Sequence, residues 1–404
     1  MISRVHTLFI SFDGLTDPLG QSQILPYLIG ISRDYAITII SCEKKERYLK
    51  DSESIAKLLQ AHNINWDSIY FEEQSGLKSK FGYIQQLKQK AEKIIRLKSV
   101  QLIHCRSYPA SLIGLHFKKK FSIPFLFDMR GFWADERMEG AIWRKSNWMH
   151  QLLYRYFKFK ERQFFQESAH VVSLTSSGKN FSLKHFNLEE DKITIIPCCV
   201  DLKKFTPRNQ LNFKTQLGYN SEDKLLLYIG SIGTWYLTEE LVKCFSVWQN
   251  QDKHFKLLII TRDIHAAGNL LSNLSESLSK SIQIISANHN EIPDYLSIAA
   301  ASLFFIKNSF SKTASSPTKM AESWAVNIPI ITNSGIGDND IYFEKNLGGA
   351  LIKGLNEESY LKAYHEFKNL PASNYRNIAE TNFDKDEAIK RYLIIYNQIL
   401  KPKK

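Results

Sequence analysis

Lys319 and Glu322, three residues apart in the stretch Ser315 to Asp338 (SSPTKMAESWAVNIPIITNSGIGD), are the pair best suited to binding a charged ligand. Ser316 has the side chain of an N-cap and Pro317 fits a first helical turn, so a short helix is predicted with Thr318, Lys319 and Glu322 near its positive end. Free backbone N–H groups attract an anion there, the lysine adds a cation, and the carboxylate one turn deeper accepts hydroxyl hydrogen bonds. Phosphate and ribose suit that combination. A surface ion pair is the other meaning of the same two residues. Ile328 to Ile331 predicts a short buried strand, and Ser334 to Asp338, with Gly337, a glycine-rich turn beyond its carboxyl end, where open α/β sheets bind ligands.

A second set of polar residues follows two predicted strands in the first half of the chain. His104-Cys105-Arg106-Ser107-Tyr108 ends one, and Asp128-Met129-Arg130-Gly131-Phe132-Trp133-Ala134-Asp135-Glu136-Arg137 ends the next. Asp128 and Arg130 either pair to stabilise their loop or contribute to a site. Arg106 is a site candidate, whereas His104, two residues earlier, is expected on the opposite face of the strand, which leaves a core role at least as well supported as a catalytic one.

These strings resemble the GT-B glycosyltransferases of the family-4 type, in the branch with Ser-Pro-Thr-Lys before the glutamate and Gly-hydrophobic-Gly-Asp after the strand. The resemblance implies two Rossmann-like α/β domains, each with a parallel sheet, facing across a cleft. It also implies a retaining transferase that uses a nucleotide-sugar donor and needs no other cofactor. Lys319 would contact the donor diphosphate and Glu322 its ribose. DMRGFWADER and His-Cys-Arg-Ser resemble the matching strand ends, which assigns Arg106, Asp128, Arg130 and Lys319 to catalysis, and better-known relatives carry a histidine about where Arg106 stands. Two departures are visible. Relatives often have a second glutamate eight positions before Glu322, where Ala314 stands. Many also place an arginine and a lysine after the first strand of the second domain, where this chain reads Gly230-Ser231-Ile232-Gly233-Thr234-Trp235-Tyr236. Gly230, Ser231, Gly233 and Thr234 would then supply donor contacts through amides and hydroxyls, with Arg262 either restoring a positive charge or standing as a simple surface cation.

The elements that must position these residues follow from hydrophobic patterning. Predicted strands near 7–13, 36–42, 65–70, 102–105, 125–129, 170–174 and 193–196 alternate with helices near 23–33 and 81–97, which implies a parallel sheet with crossovers. The loop Gly14 to Gly20 lacks the G-x-G-x-x-G fingerprint and is either a structural turn or the GT-B loop that holds a phosphate. Pro197-Cys-Cys-Val-Asp201 resembles the family's exit into a second domain. The expected division is 1–200 and 201–384, with a last helix at 385–400 returning to the first domain. The second domain is predicted to hold strands at 224–230, 256–261 and 301–306 and a helix at 291–300.

At 404 residues and 44% hydrophobic content the chain can bury two cores. No run of 18 apolar residues and no signal-peptide pattern is present, so a cytoplasmic protein is expected. The five cysteines lack C-x-x-C spacing and are read as buried thiols. Asp338-Asn-Asp340 is read as a turn rather than a metal site. Of the net charge of +12, the first 200 residues hold 29 Lys/Arg against 20 Asp/Glu. The segment from Trp143 to Phe165 is predicted to be one long helix with six Lys/Arg, one acidic residue and eight aromatics. That composition suits contact with an anionic membrane at the inner face, or a packed helix with a basic exterior. The expected function is transfer of a sugar to a saccharide or lipid-linked acceptor in surface polysaccharide or lipopolysaccharide assembly. The alternative is a non-catalytic GT-B partner subunit of a glycosylation complex. Nucleic-acid binding has only the charge in its favour and no motif.

Overall fold

The computed structural model describes residues 4–401 except 73–76, 209, 273, 345–346 and 372, and the side chains of residues 77, 78 and 211. Its contacts divide into two compact units, Met1–Pro197 with Lys385–Lys404, and Cys198–Asp384.

Unit 1 holds seven strands: β1 (His6–Ser11), β2 (Ala36–Lys44), β3 (Asn65–Phe71), β4 (Leu102–Arg106), β5 (Phe125–Asp128), β6 (His170–Ser173) and β7 (Ile193–Ile195). All pair in parallel in the order β3-β2-β1-β4-β5-β6-β7. Central strands such as Leu102–Arg106 and Phe125–Asp128 are buried at every position, as a sheet covered on both faces requires. After β1 the chain builds outward through β2 and β3, then returns to the other side of β1 as β4. This reversal is a switch point at which loops leave in opposite directions and open a crevice. The register sets Ser11, Arg106 and Asp128 side by side at the carboxyl ends of β1, β4 and β5.

The helical prediction for residues 23–33 is corrected to two helices, Pro18–Gln23 and Leu25–Ile31, since Pro26 lacks the N–H that would continue the first. The Trp143–Phe165 prediction is corrected to Trp148–Glu167. Asn147 caps that helix, its Oδ1 accepting from the N–H groups of Met149 at 2.9 Å and His150 at 3.4 Å. Trp143 lies outside the helix, buried, with its ring 5.4 Å from that of Trp133.

The Lys385–Leu400 helix belongs to unit 1 and packs on the Leu25–Ile31 helix. Tyr392 and Tyr396 set their rings edge-on to Tyr27 and Tyr35. Gly30 permits this approach, because a Cβ there would lie 2.5–2.9 Å from three side-chain carbons of Ile389.

Unit 2 holds β8 (Lys224–Ile229), β9 (Phe255–Ile260), β10 (Ile282–Ile285), β11 (Ala301–Leu303), β12 (Ile330–Asn333) and β13 (Gly349–Ile352). They form a parallel sheet in the order β10-β9-β8-β11-β12-β13, whose switch point lies between β8 and β11. β10 and β13 have no counterpart among the predicted strands, and the strand predicted at 328–331 runs from Ile330 to Asn333. Among the described residues, no helix is long and apolar enough to cross a membrane.

Replacing Gly30 with valine overpacks the contact with Ile389, which should cost about 1–3 kcal/mol of stability. Chemical denaturation followed by far-UV circular dichroism should show a lower midpoint. An unchanged midpoint would mean that the two helices tolerate separation.

Candidate active site

The crevice end of unit 2 is built around Lys319. The helix that carries it runs from Thr318 to Ala325, with Pro317 at the N-cap. Ser316 does not cap it, because its Oγ accepts the N–H of Cys198 at 3.2 Å. Nor is this a surface pair: Lys319 and Glu322 are only 6% and 9% exposed. The helix is anchored by Trp324, whose Nε1 donates to the Gly348 carbonyl at 2.9 Å. Arg376 donates to the carbonyls of Ala325, Phe205 and Leu202, placing a cation at the helix's negative end.

Lys319 Nζ points at the switch point. It lies 3.6 Å from the ring centre of Tyr236, 4.8 Å from that of Tyr228 on β8, and 5.0 Å from that of Phe304 after β11. Among the described residues it has no hydrogen-bond acceptor. Burial pushes its pKa down to about 7, with the Glu322 carboxylate opposing. Gly230, at φ +149°, forms the remaining wall; an added Cβ would sit 3.0 Å from Nζ. A buried cation without an oxygen partner is costly, and a phosphate oxygen would complete it.

Glu322 is organised by residues outside the predicted motif. His289, in the loop after β10, has Nε2 3.2 Å from Glu322 Oε1. Lys204 donates to His289 Nδ1 at 3.0 Å and to Asn290 Oδ1 at 2.8 Å. Lys204 therefore fixes the tautomer in which Nδ1 accepts and Nε2–H donates to Glu322. His289 carried no sequence signal, because the loop after β10 reaches Glu322 only through the sheet order.

The other predicted donor contacts differ in placement. The loop after β8 turns through Gly233 and Thr234 at φ +78° and +53°. Ser231 accepts the Tyr228 hydroxyl through its carbonyl at 2.5 Å, and Ile232 donates its N–H to Asp263 at 3.0 Å. That amide is committed to a carboxylate. Ser231, Thr234 and Arg262 are exposed, Arg262 lying just beyond β9, and Thr318 is half-buried. Gly337, at φ +52°, donates to the Lys312 carbonyl at 2.8 Å. Asp340 accepts the Gly335 N–H at 2.9 Å, so Asp338-Asn-Asp340 closes a turn. No cluster of three or more metal-ligating side chains is present among the described residues.

In unit 1, Arg106, Asp128 and Arg130 converge at the switch point. Arg106 NH1 and Arg130 NH1 each lie 3.8 Å from an Asp128 carboxylate oxygen. Arg106 Nε donates to Asp13 after β1 at 3.4 Å, and Tyr392 donates its hydroxyl to Asp128 at 3.2 Å. His104 faces the same way as Arg106, contrary to the expectation, because residues two apart in a strand share a face. Its Nδ1 lies 2.8 Å from the Tyr396 hydroxyl and its Nε2 3.6 Å from Asp128. Burial pushes the His104 pKa down and outweighs the nearby Asp128, so the imidazole is neutral and its contact with Asp128 is not an ion pair. Burial pushes the Asp128 carboxyl up, but Arg130, the neighbouring His104 and Arg106 together hold it below the usual carboxylate value. Ser107 and Arg130 have φ of +66° and +55°, a strained geometry for non-glycine residues at a turn directly after a strand.

The Gly14–Gly20 loop is closed from within. Glu43, fully buried on β2, accepts from the N–H groups of Leu15 at 2.7 Å and Thr16 at 3.1 Å, and from the Thr16 and Ser41 hydroxyls. Those two amides are thereby committed to an internal carboxylate.

Comparison with known proteins agrees with this architecture. Residues 33–204 match the family model described as Glycosyltransferase Family 4. A D-inositol 3-phosphate glycosyltransferase of Nocardiopsis dassonvillei is 20% identical over 223 residues, 52% of this chain and 50% of that protein. The chain thus spans about half the length of that curated relative. Sucrose-phosphate synthase from Thermosynechococcus elongatus superposes with a TM-score of 0.72 at 14% identity, over 98% of this chain and 99% of that one. Anabaena HepE, solved in complex with UDP and glucose, gives 0.70 at 12% identity over 98% and 100%. WaaG, a glycosyltransferase involved in lipopolysaccharide biosynthesis, gives 0.66 at 12% identity over 98% and 100%. The chain has the GT-B glycosyltransferase fold, with the Glycosyltransferase Family 4 pattern over residues 33–204.

Proposed function

We propose that the protein is a retaining glycosyltransferase that takes a sugar from a nucleoside-diphosphate donor held in unit 2. The buried, unpartnered Lys319 amine at the switch point is the observation that carries this reading. Lys319 and the amino-terminal end of its helix would meet the diphosphate, and Glu322, oriented by His289, would accept the ribose hydroxyls. In the reaction the acceptor hydroxyl oxygen bonds to the anomeric carbon as the bond to the donor phosphate breaks, and the hydroxyl proton passes to the departing phosphate. Lys319 stabilises the charge left on the diphosphate, a role that requires neither a metal ion nor a further cofactor. Arg106, Asp128 and Arg130 would orient the acceptor at the strand ends of unit 1. HepE in complex with UDP and WaaG in lipopolysaccharide biosynthesis support a sugar nucleotide and a surface-glycan acceptor.

A lipid-linked acceptor at the inner face of the membrane suits the outer face of the Trp148–Glu167 helix. Trp148, Leu152 and Phe159 are 71%, 61% and 60% exposed, Met149 and Tyr156 lie beside them, and Arg155 and Arg162 are exposed along the same helix. Its two carboxylates are engaged elsewhere: Glu161 is buried with Tyr108 and Lys158, and Glu167 pairs with Lys118 at 2.6 Å. Lys158 is likewise withdrawn, donating to Asp135 at 2.8 Å, so the basic face rests on Arg155, Lys160 and Arg162.

Thermal-shift measurements with UDP, GDP, dTDP and CMP sugars should show stabilisation by one donor class. Lys319→Met preserves bulk in the aromatic pocket, and it and Glu322→Ala should each weaken that binding by about 2 kcal/mol, roughly thirtyfold. Unchanged donor affinity in both variants would sink the assignment. Donor binding without turnover on any acceptor would favour a non-catalytic partner subunit.

Turnover should persist in excess EDTA. Activity lost to the chelator and restored by manganese or magnesium would show that a divalent ion neutralises the leaving group.

Replacing Arg155, Lys160 and Arg162 with glutamine should release the protein from anionic vesicles, since each contributes about 1 kcal/mol near such a surface. Equal co-sedimentation of parent and triple variant would assign this face to another partner.

A further inference from the structure

Tyr236 brings its ring closer to Lys319 Nζ than either Tyr228 or Phe304 does, and the backbone is shaped to put it there. Its N–H donates to the Gly233 carbonyl at 3.0 Å, closing the turn made by Gly233 and Thr234. Tyr236 then forms an antiparallel bridge with Ile306. Hydrogen bonds from Leu237 N to the Phe305 carbonyl at 3.0 Å and from Lys307 N to the Trp235 carbonyl at 2.8 Å flank it. The loop after β8 is thereby folded back over the strand ends, with the face of the Tyr236 ring against the amine.

We propose that Tyr236 is a positioning residue for Lys319: it holds the amine against Gly230 in a cage that offers no counter-oxygen, and a donor diphosphate supplies that oxygen as the amine takes up a proton. The proposal rests on the donor-site reading above and adds a coupling between donor binding and protonation.

Ring faces attract an ammonium without accepting a hydrogen bond, so the cage favours the charge less than water does. The groups that face the amine leave it under-compensated. Glu322, on the same helix, is the carboxylate that favours the charge, and it is shared with His289. On β8, burial pushes the Tyr228 phenol up, so it stays neutral and donates to the Ser231 carbonyl. Asp263, after β9, acts on Tyr228 and accepts from Ile232. Tyr236 and Phe304 complete the wall. The free amine titrates at about 7. A phosphate oxygen in contact favours the ammonium and raises that value.

The sign of the effect follows. Below the free protein's pKa, Lys319 is charged with or without ligand and affinity is level. As pH rises through that value, binding must bring a proton, so affinity falls by up to tenfold per pH unit until the bound form also titrates.

Calorimetric titration of the intact protein with UDP, GDP and dTDP, between pH 6.5 and 9 in buffers of different ionisation enthalpy, tests this. The nucleotide's own last phosphate proton leaves near pH 6, below the informative range. The parent should take up protons as a nucleotide binds at pH 8, where the free amine has lost much of its charge. Tyr236→Phe keeps the ring face against the amine and should keep the pH profile. Tyr236→Leu opens the amine to water: affinity at pH 7 should fall about fivefold or more, and the slope between pH 7 and 9 should flatten as the amine returns toward ordinary lysine behaviour. A pH-independent parent, or a leucine variant with the parent's profile, overturns the proposal. Lys319→Met separates the two levels: lost affinity in that variant alongside a flat parent profile removes the coupling alone. Unimpaired binding by it removes the donor site and the coupling together, as does a parent that binds none of UDP, GDP and dTDP.

Discussion

Cationic side chains taken out of water at the carboxyl ends of two parallel sheets are the constraint on which the rest of the structure depends. A buried charge needs a counter-charge or a hydrogen-bond partner, and the two units answer that need differently. In unit 1, Arg106 and Arg130 share Asp128, with Asp13 and Tyr392 adding contacts, and the carboxylate is held ionised by its surroundings. In unit 2, Lys319 has three ring faces and one nearby carboxylate that His289 already engages. The first arrangement is nearly complete by itself, and the second leaves a deficit that an anionic ligand can fill.

Topology decides which side chains meet at these points. The parallel alternation, the strand-end clusters and the motif from Ser315 to Asp338 were legible because each is local: a hydrophobic run, then polar residues, then a turn. The strands β10 and β13 were not, since Gln283 interrupts the apolar run of the first and the second opens on a glycine, which reads as a turn. Tyr228, Tyr236, Phe304 and His289 were equally hidden. They reach Lys319 and Glu322 from β8, its loop, the segment after β11 and the loop after β10, separated from them by 15 to more than 90 residues of chain. Sheet order, not spacing, makes them neighbours. The misplacement of His104 had another origin: the two-residue period of a strand puts it on the face of Arg106, where Asp128 receives both.

Glycines were visible in the sequence, but what approaches each of them was not. Gly14 opens a strand–loop–helix unit of the kind that cradles phosphate, yet an added Cβ would lie 2.6 Å from Glu43 Oε2. The carboxylate is the anion the loop receives. Gly230, by contrast, lies against an amine that has no acceptor among the described residues, so the same residue type serves a closed turn in one unit and an open site in the other. Distinguishing them requires knowing whether the loop's polar partners are internal, which depends on a residue of a neighbouring strand in the first case and of a following helix in the second.

A similar distinction applies to charge. The basic count of the Trp148–Glu167 helix suggested a single cationic surface, but the helix divides its charges by face. Lys158 and Glu161 turn inward to Asp135, Tyr154 and Tyr108, where Tyr154 donates to Asp135 at 2.8 Å and Glu161 has no exposed surface. Burial pushes Glu161 up, while Lys158 pulls it back, so this inner cluster has the character of a packed ion pair rather than a solvated one. Removing Lys158 would leave Glu161 buried without its cation and would disturb the fold, whereas removing Arg155 or Arg162 takes charge only from the exposed surface. The inner pair fixes the helix's rotation, and that rotation in turn presents Trp148, Leu152 and Phe159 outward with the arginines, so the apolar stripe and the basic residues are displayed together because the remaining charges are held inside.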